Sequence, residues 1–188
     1  MRLPQVTVLR LEHRMQRDQR LTTHVFLTAR ALGAIEGIFS GDQDENLIQT
    51  VGKLVDDWGG NFTLSWTPRW KRFLQERKSG GARIIHLTMY GKPLQEGIAW
   101  LRNPENQVHQ VVVVVGGAKV PGVVYGLADL NVSVGNQPHS EVTALAILLY
   151  DWFGKSQLYA DLQGRKRIIP SATDKQLKIL PEFKPDSL

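Results

Sequence analysis

Val111-Val112-Val113-Val114-Val115-Gly116-Gly117 is the stretch that decides the fold. Successive side chains of a strand point to opposite faces, so five valines in a row leave neither face for water. Such a run belongs to a parallel strand covered by helices on both sides. Working outward from it, strand-like and helix-like segments alternate. Val6–Leu11, Ala34–Phe39, Asn61–Trp66, Arg83–Met89 and Ala128–Val134 read as strands. Between and after them, Thr22–Leu32, Asn46–Trp58, Arg69–Lys78, Pro93–Leu101 and His139–Phe153 read as helices. Thr22 or Thr23 is the expected cap of the first helix, Gly33 its stop, and Pro68 opens the third. The alternation predicts one α/β domain over residues 1–188, with a mostly parallel sheet and helices on both faces. From about residue 155 the chain turns more polar, with a surface basic cluster at Arg165-Lys166-Arg167 and a loose tail around Pro181 and Pro185.

A chain of 188 residues suffices for one such domain and is tight for two. It contains no cysteine, which excludes disulfides, thiolate metal sites and cysteine nucleophiles. No apolar run approaches the roughly 20 residues needed to span a bilayer. Met1-Arg2-Leu3-Pro4 precedes no secretory apolar segment, and we expect a cytoplasmic protein. The net charge of +5 fits either a solubility surface or a polyanion partner. Its distribution is more pointed. Residues 1–34 hold Arg2, Arg10, Arg14, Arg17, Arg20 and Arg30, no lysine, and only Glu12 and Asp18 as acids. Arginine is the side chain suited to bidentate phosphate recognition.

Several familiar chemistries lack their residues. Glu12-His13-Arg14 follows the first strand where a dinucleotide fold needs its glycine fingerprint, and no phosphate-binding P-loop pattern occurs. The five histidines (13, 24, 86, 109 and 139) have no metal-ligand spacing, and no metal is expected. There is no G-x-S-x-G nucleophile elbow.

Three segments follow or continue buried strands, where open α/β sheets bind ligands. They are His86-Leu87-Thr88-Met89-Tyr90-Gly91, Gly116-Gly117-Ala118-Lys119-Val120-Pro121 and Asn131-Val132-Ser133-Val134-Gly135-Asn136-Gln137-Pro138-His139-Ser140-Glu141-Val142. The first, taken alone, reads better as a plain strand end and turn. The paired glycines of the second let backbone N–H groups face a ligand or simply make a tight turn. In the third, Asn136, Gln137, His139 and Ser140 are more polar than a bare turn requires, and free amides of the next helix point into the same loop. Glu141 is open to two roles, a partner for a ligand's amino group or a favourable charge at the helix start. Trp66, Arg69, Trp70, Lys71 and Arg72 mix aromatic and cationic groups, either as a base-stacking surface or as partial core.

Together these segments resemble the SPOUT superfamily of RNA methyltransferases, and within it the archaeal tRNA cytidine-56 2'-O-methyltransferases. The resemblance runs over about residues 4–180. Three blocks carry it: Leu9 to Val25 with Ala29-Arg30-Ala31, Val114 to Pro121, and Asn131 to Val142. It implies a deep trefoil knot formed by the C-terminal strands, a homodimer, S-adenosylmethionine as cofactor, and methyl transfer to the 2'-hydroxyl of cytidine 56 in the TΨC loop of tRNA. It also implies cofactor contacts from Leu87, Gly116, Gly117, Ala118, Lys119, Val120, Val134, Gly135, Asn136, Gln137, Pro138, His139, Ser140 and Glu141. Related ribose methyltransferases carry an Asn and an Arg six residues apart. His24 and Arg30 have that spacing here, with His24 in place of the Asn, and are the candidate catalytic pair. Glu12 stands where relatives usually have a small residue, most often glycine. Arg10, Arg14, Arg17 and Arg20 are the expected grips on tRNA phosphates.

Apolar Ala144, Leu145, Ile147, Leu148, Leu149, Trp152 and Phe153 cover more than one face of the last long helix, which points to an isologous dimer through it. Three other readings stay open at this stage. One is a knotted methyltransferase acting on another tRNA or rRNA nucleotide. Another is a non-catalytic RNA-binding module. The last is a nucleotide-dependent oxidoreductase, against which the missing glycine fingerprint counts.

Overall fold

A computed structural model describes residues 4–117 and 120–180. Six strands build the main sheet: β1 (Gln5–His13), β2 (Glu36–Gly41), β3 (Thr63–Trp66), β4 (Arg83–Pro93), β5 (Gln110–Gly116) and β6 (Leu130–Ser133). Their order is β3-β2-β1-β5-β4-β6, and every pairing is parallel. Six helices cross between or follow them: α1 (Met15–Ala31), α2 (Glu45–Trp58), α3 (Trp70–Ser79), α4 (Leu94–Arg102), α5 (Val123–Leu127) and α6 (Glu141–Phe153).

The valine run behaves as its composition demands. Val111 to Val115 are all at most 1% exposed and sit between β1 and β4. Val111, Val113 and Val115 join one hydrophobic cluster with residues of α1, α2, α4 and α6, while Val112 and Val114 join the other with residues of α3 and α5. Each such side chain contributes roughly 1.5–3 kcal/mol by leaving water.

The largest departure from the sequence reading is α1. It starts at Met15, seven residues before the expected cap, and its N-cap Arg14 makes no side-chain capping bond. Two contacts substitute for a cap. Arg14 Nε and Nη2 donate to Asp18, and the Met15 amide donates to Asp42 Oδ2 on the β2–α2 loop. Thr22 is fully buried inside the helix and bonds the His13 ring instead of capping anything. Elsewhere β4 extends four residues beyond Met89, and Ser140, not His139, caps α6 by accepting from the Val142 amide.

The polar C-terminal stretch carries a hairpin that sequence reading left out. β7 (Lys166–Ile169) and β8 (Gln176–Ile179) pair antiparallel outside the main sheet. Asp57 of α2 receives both Arg165 and Lys166, which ties the hairpin's base to the domain. The residues around Pro181 and Pro185, expected as a loose tail, lie outside the described residues.

Candidate active site

In a parallel sheet all strands end on one edge, so the loops after β4, β5 and β6 converge. They enclose a cavity of about 700 Å³, within the range of small-molecule sites. Its wall includes Leu87, Gly116, Gly117, Val120, Val134, Gly135, Gln137, Pro138, His139, Ser140 and Glu141, so the three segments singled out in the sequence do meet. Asn136 is exposed and does not line the cavity; its side-chain amide donates to the Met89 carbonyl at 2.9 Å and joins two of the loops. Ala118 and Lys119 lie outside the described residues. Gly116 has a steric reason to be glycine, since a Cβ there would come 2.5 Å from Val120 Cγ2. The His139 ring is held between the carbonyls of Val134 and Ser140, at 2.5 and 3.1 Å.

His86 and Tyr125 add chemistry that the sequence reading assigned to neither. His86 is 1% exposed and its Nδ1 lies 2.9 Å from Asn131 Oδ1. Asn131 Nδ2 donates to the Tyr125 carbonyl, which fixes the amide's orientation. Nδ1 of His86 must therefore donate, and Nε2 is left as a buried acceptor with no partner among the described residues. Burial lowers the His86 pKa, against the raising effect of the Asn131 bond, and favours this neutral form. The Tyr125 ring meets the His86 ring edge-on at 4.8 Å, and its hydroxyl bonds Thr88 Oγ1 at 2.7 Å. Tyr125 lies on a five-residue helix, too short for periodicity to betray it. A cavity with apolar walls (Leu87, Val120, Val134, Ala144) and the Glu141 carboxylate fits a flat, partly apolar ligand with a positive charge.

Next to the cavity the end of β1 turns into α1 under tight constraint. Glu12 has φ 58°, the left-handed region that favours glycine. Gly41 packs against this turn so closely that a Cβ would lie 2.3 Å from the His13 carbonyl oxygen. His13 itself is 1% exposed, with Nδ1 2.8 Å from Thr22 Oγ1 and Nε2 3.4 Å from Asp44 Oδ2. Burial lowers its pKa and outweighs the raising effect of the Asp44 bond.

The arginines divide into distinct environments. Arg17 and Arg20 are exposed on α1. Arg14 is half exposed and paired with Asp18, whose pKa this hydrogen bond lowers. Arg10 departs from expectation. Its side chain is fully buried on β1, 3.1 Å from Glu141 and 3.6 Å from Asp18, so it cannot grip a phosphate on the surface.

Arg30 lies at the other end of α1. α1 runs back from the ligand edge, and the fifteen residue steps from Met15 to Arg30 carry Arg30 about 22 Å along the helix axis. There Arg30 is 8% exposed and its guanidinium donates twice, through Nε at 2.9 Å and Nη2 at 2.5 Å, to the Gly59 carbonyl at the end of α2. Within the protomer this contact pins α1 to the end of α2. His24 is exposed mid-helix and shares a face with Arg17 and Arg20 by helical spacing, away from the cavity wall. Trp66 donates its indole N–H to the Gly41 carbonyl at 3.0 Å, and Trp66 and Trp70 pack half-buried against the two hydrophobic clusters.

Residues 58–178 match the family described as tRNA ribose 2'-O-methyltransferase, aTrm56. The tRNA (cytidine(56)-2'-O)-methyltransferase of Methanopyrus kandleri is 44% identical over 94% of this chain and 98% of its own length. The chain belongs to the tRNA ribose 2'-O-methyltransferase family. Within the family, the enzyme of Methanocaldococcus jannaschii is 48% identical over 90% of this chain and 94% of its own length. Solved structures agree on the fold at low identity. The SpoU methyltransferase AviRb from Streptomyces viridochromogenes, solved with the cofactor AdoMet, superposes with TM-score 0.55 at 16% identity over 88% of this chain. This chain spans 61% of AviRb. The A. aeolicus TrmH/SpoU tRNA modifying enzyme superposes with TM-score 0.54 at 17% identity, over 80% of this chain and 75% of that one. The family is thus built on the SPOUT fold that the resemblance implied.

Proposed function

We propose that this protein transfers a methyl group from S-adenosylmethionine to the ribose 2'-hydroxyl of cytidine 56 in the TΨC loop of tRNA. The observation that carries the reading is the cavity at the ends of β4, β5 and β6, walled in part by two of the three sequence blocks that carry the resemblance, in a chain 44–48% identical to cytidine-56 enzymes. The residues suit the cofactor. Leu87, Val120, Val134 and Ala144 offer apolar surface to an adenine ring, and Glu141 offers a carboxylate to positive charge. Bound there, S-adenosylmethionine supplies an activated methyl group on a sulfonium, already an excellent leaving group.

What remains for the protein is positioning. Holding two reactants in line contributes roughly 7–11 kcal/mol in the best cases. Arg17 and Arg20, exposed beside the cavity edge, hold tRNA phosphates, with Arg14 joining them when it leaves Asp18. His24 belongs to the same RNA-facing surface. The fold reading carries with it a deep trefoil knot through the C-terminal strands.

The protein acts as a homodimer in the cytoplasm. Support for the dimer comes from apolar side chains left on the surface of α6 and the turn after it: Ile147 at 40% exposure, Tyr150, Leu158 and Tyr159 at 85%. Leu145, Leu148, Leu149 and Trp152 of the same helix are buried in the protomer's own core and are not available for the contact expected of them. No helix among the described residues is long and apolar enough to cross a membrane.

The test is methyl transfer from labelled S-adenosylmethionine to an unmodified archaeal tRNA transcript, with the alkali-resistant linkage mapped. A single mark at cytidine 56 is expected. A mark at another nucleotide keeps the chemistry and discards the site. No label despite tight tRNA binding defeats the enzymatic reading.

A further inference from the structure

Arg10 is the largest fully buried side chain among the described residues and sits on a strand between Leu9 and Leu11. Taking a guanidinium out of water costs several kcal/mol, and a well-packed apolar side chain of similar volume would serve stability as well or better. Its surroundings suggest another use. Nη2 lies between two carboxylates, Glu141 Oε1 at 3.1 Å and Asp18 Oδ2 at 3.6 Å. Neither contact is aligned as a hydrogen bond, and no nitrogen of the guanidinium has an aligned partner among the described residues. The cation is therefore held by charge alone between two acceptors it can approach with a small shift.

The two carboxylates lead in different directions. Glu141 lines the cavity. Asp18 is engaged by Arg14 through two hydrogen bonds of 2.9 and 3.1 Å, and the Arg14 side chain is 49% exposed. Arg14–Asp18–Arg10–Glu141 thus forms an unbroken line of alternating charge from the solvent-facing start of α1 to the cavity wall.

We propose that Arg10 is a positioning residue that sets the charge Glu141 presents to the cavity, and that this line makes tRNA and cofactor bind cooperatively. While Arg14 occupies Asp18, Arg10 neutralises Glu141. A tRNA phosphate that draws Arg14 away leaves Asp18 without its aligned partner, and Arg10 swings towards it. Glu141 is then less compensated and attracts a cationic ligand more strongly. Coupling of this kind is reciprocal, so the cofactor strengthens tRNA binding by the same factor. The inference rests on the proposed reading of the cavity and of Arg14.

The experiment measures the Kd of S-adenosylmethionine with and without saturating tRNA by calorimetry. The tRNA carries 2'-deoxycytidine at position 56, so no transfer occurs during the titration. In the natural protein tRNA should lower the cofactor Kd by about 5-fold or more, the lower end of typical allosteric coupling. Arg10→Met should reduce that ratio to about one, and Arg10→Lys should restore part of it. A merely structural Arg10 would change the melting temperature and leave the ratio as in the natural protein. If Arg10→Met does not fold, Asp18→Asn interrupts the same line at the next link and should also abolish the ratio. Equal Kd values with and without tRNA in the natural protein, both ligands binding, overturn the coupling alone. Failure of S-adenosylmethionine to bind at all overturns the function proposed for the cavity, and this inference with it.

Discussion

Arg30→Met separates a structural arginine from a catalytic one. Methionine keeps most of the aliphatic stem of this 8% exposed residue and removes the guanidinium, which donates two hydrogen bonds to the Gly59 carbonyl. A hydrogen bond from a charged group contributes about 1.5–3 kcal/mol net. Both donors share one acceptor here, so they count as one strong interaction, not two. The substitution also relieves the burial of a cation, the same burial that lowers the Arg30 pKa, which argues for the lower half of that range. About 2 kcal/mol is expected, and at this chain length that lowers the melting temperature by about 4–8 °C. The assay pairs a thermal melt with initial rates of methyl transfer well below the variant's transition. The expected result is the lowered melting point with kcat within about threefold of the natural protein, since no interaction peculiar to the transition state is removed. An unchanged melting point with transfer reduced a hundredfold or more would place Arg30 at the reacting atoms and refute the reasoning.

Arg17→Ala with Arg20→Ala should weaken tRNA binding and make its salt dependence shallower by about 0.7–0.9 in log–log slope for each phosphate no longer neutralised, measured by filter binding across a salt series. An unchanged slope would remove these two side chains from the RNA surface. Ile147→Glu should shift the protein from dimer to monomer in sedimentation, because it buries a charge in an apolar contact; a dimer that persists places the interface elsewhere. Stability should decline on acidification below about pH 6.5. Burial lowers the pKa of His13 and His86 in the folded state, so the unfolded chain binds more protons in that window and folding loses at most about 1.4 kcal/mol per pH unit for each histidine. Denaturant midpoints measured from pH 7.5 to 5 check this, and a flat profile would contradict the burial of both rings.

The parts of the fold visible in the sequence are those set by local periodicity. The valine run and the alternation around it required a helix-covered parallel sheet, and three loops could be named because buried strands led into polar or glycine-rich turns. The start of α1 was invisible because no capping residue marks it. Its first turn is stabilised by Asp42, twenty-seven residues away, and by a salt bridge that also forms part of the Arg10 network. The β7–β8 hairpin was invisible because Lys166-Arg167-Ile168-Ile169 has neither a strand's alternation nor a core to face. The burial of Arg10 and Arg30 was not legible because burial of a charge is decided by partners distant in sequence. Glu141, Asp18 and Gly59 cannot be assigned to them from spacing.

The strand order has a consequence for how the chain is made. β5 occupies the place between β1 and β4, and its first residue, Gln110, lies 105 positions after Gln5, beside which it pairs. Until that valine strand leaves the ribosome, β1–β3 and β4 are two fragments of sheet with apolar edges facing a gap. Synthesis at about 5–20 residues per second keeps that gap open for several seconds. Assembly then waits on a strand inserting between two others, a non-local step of the slow kind. The nascent half-chain is accordingly the form of this protein with most to gain from a chaperone.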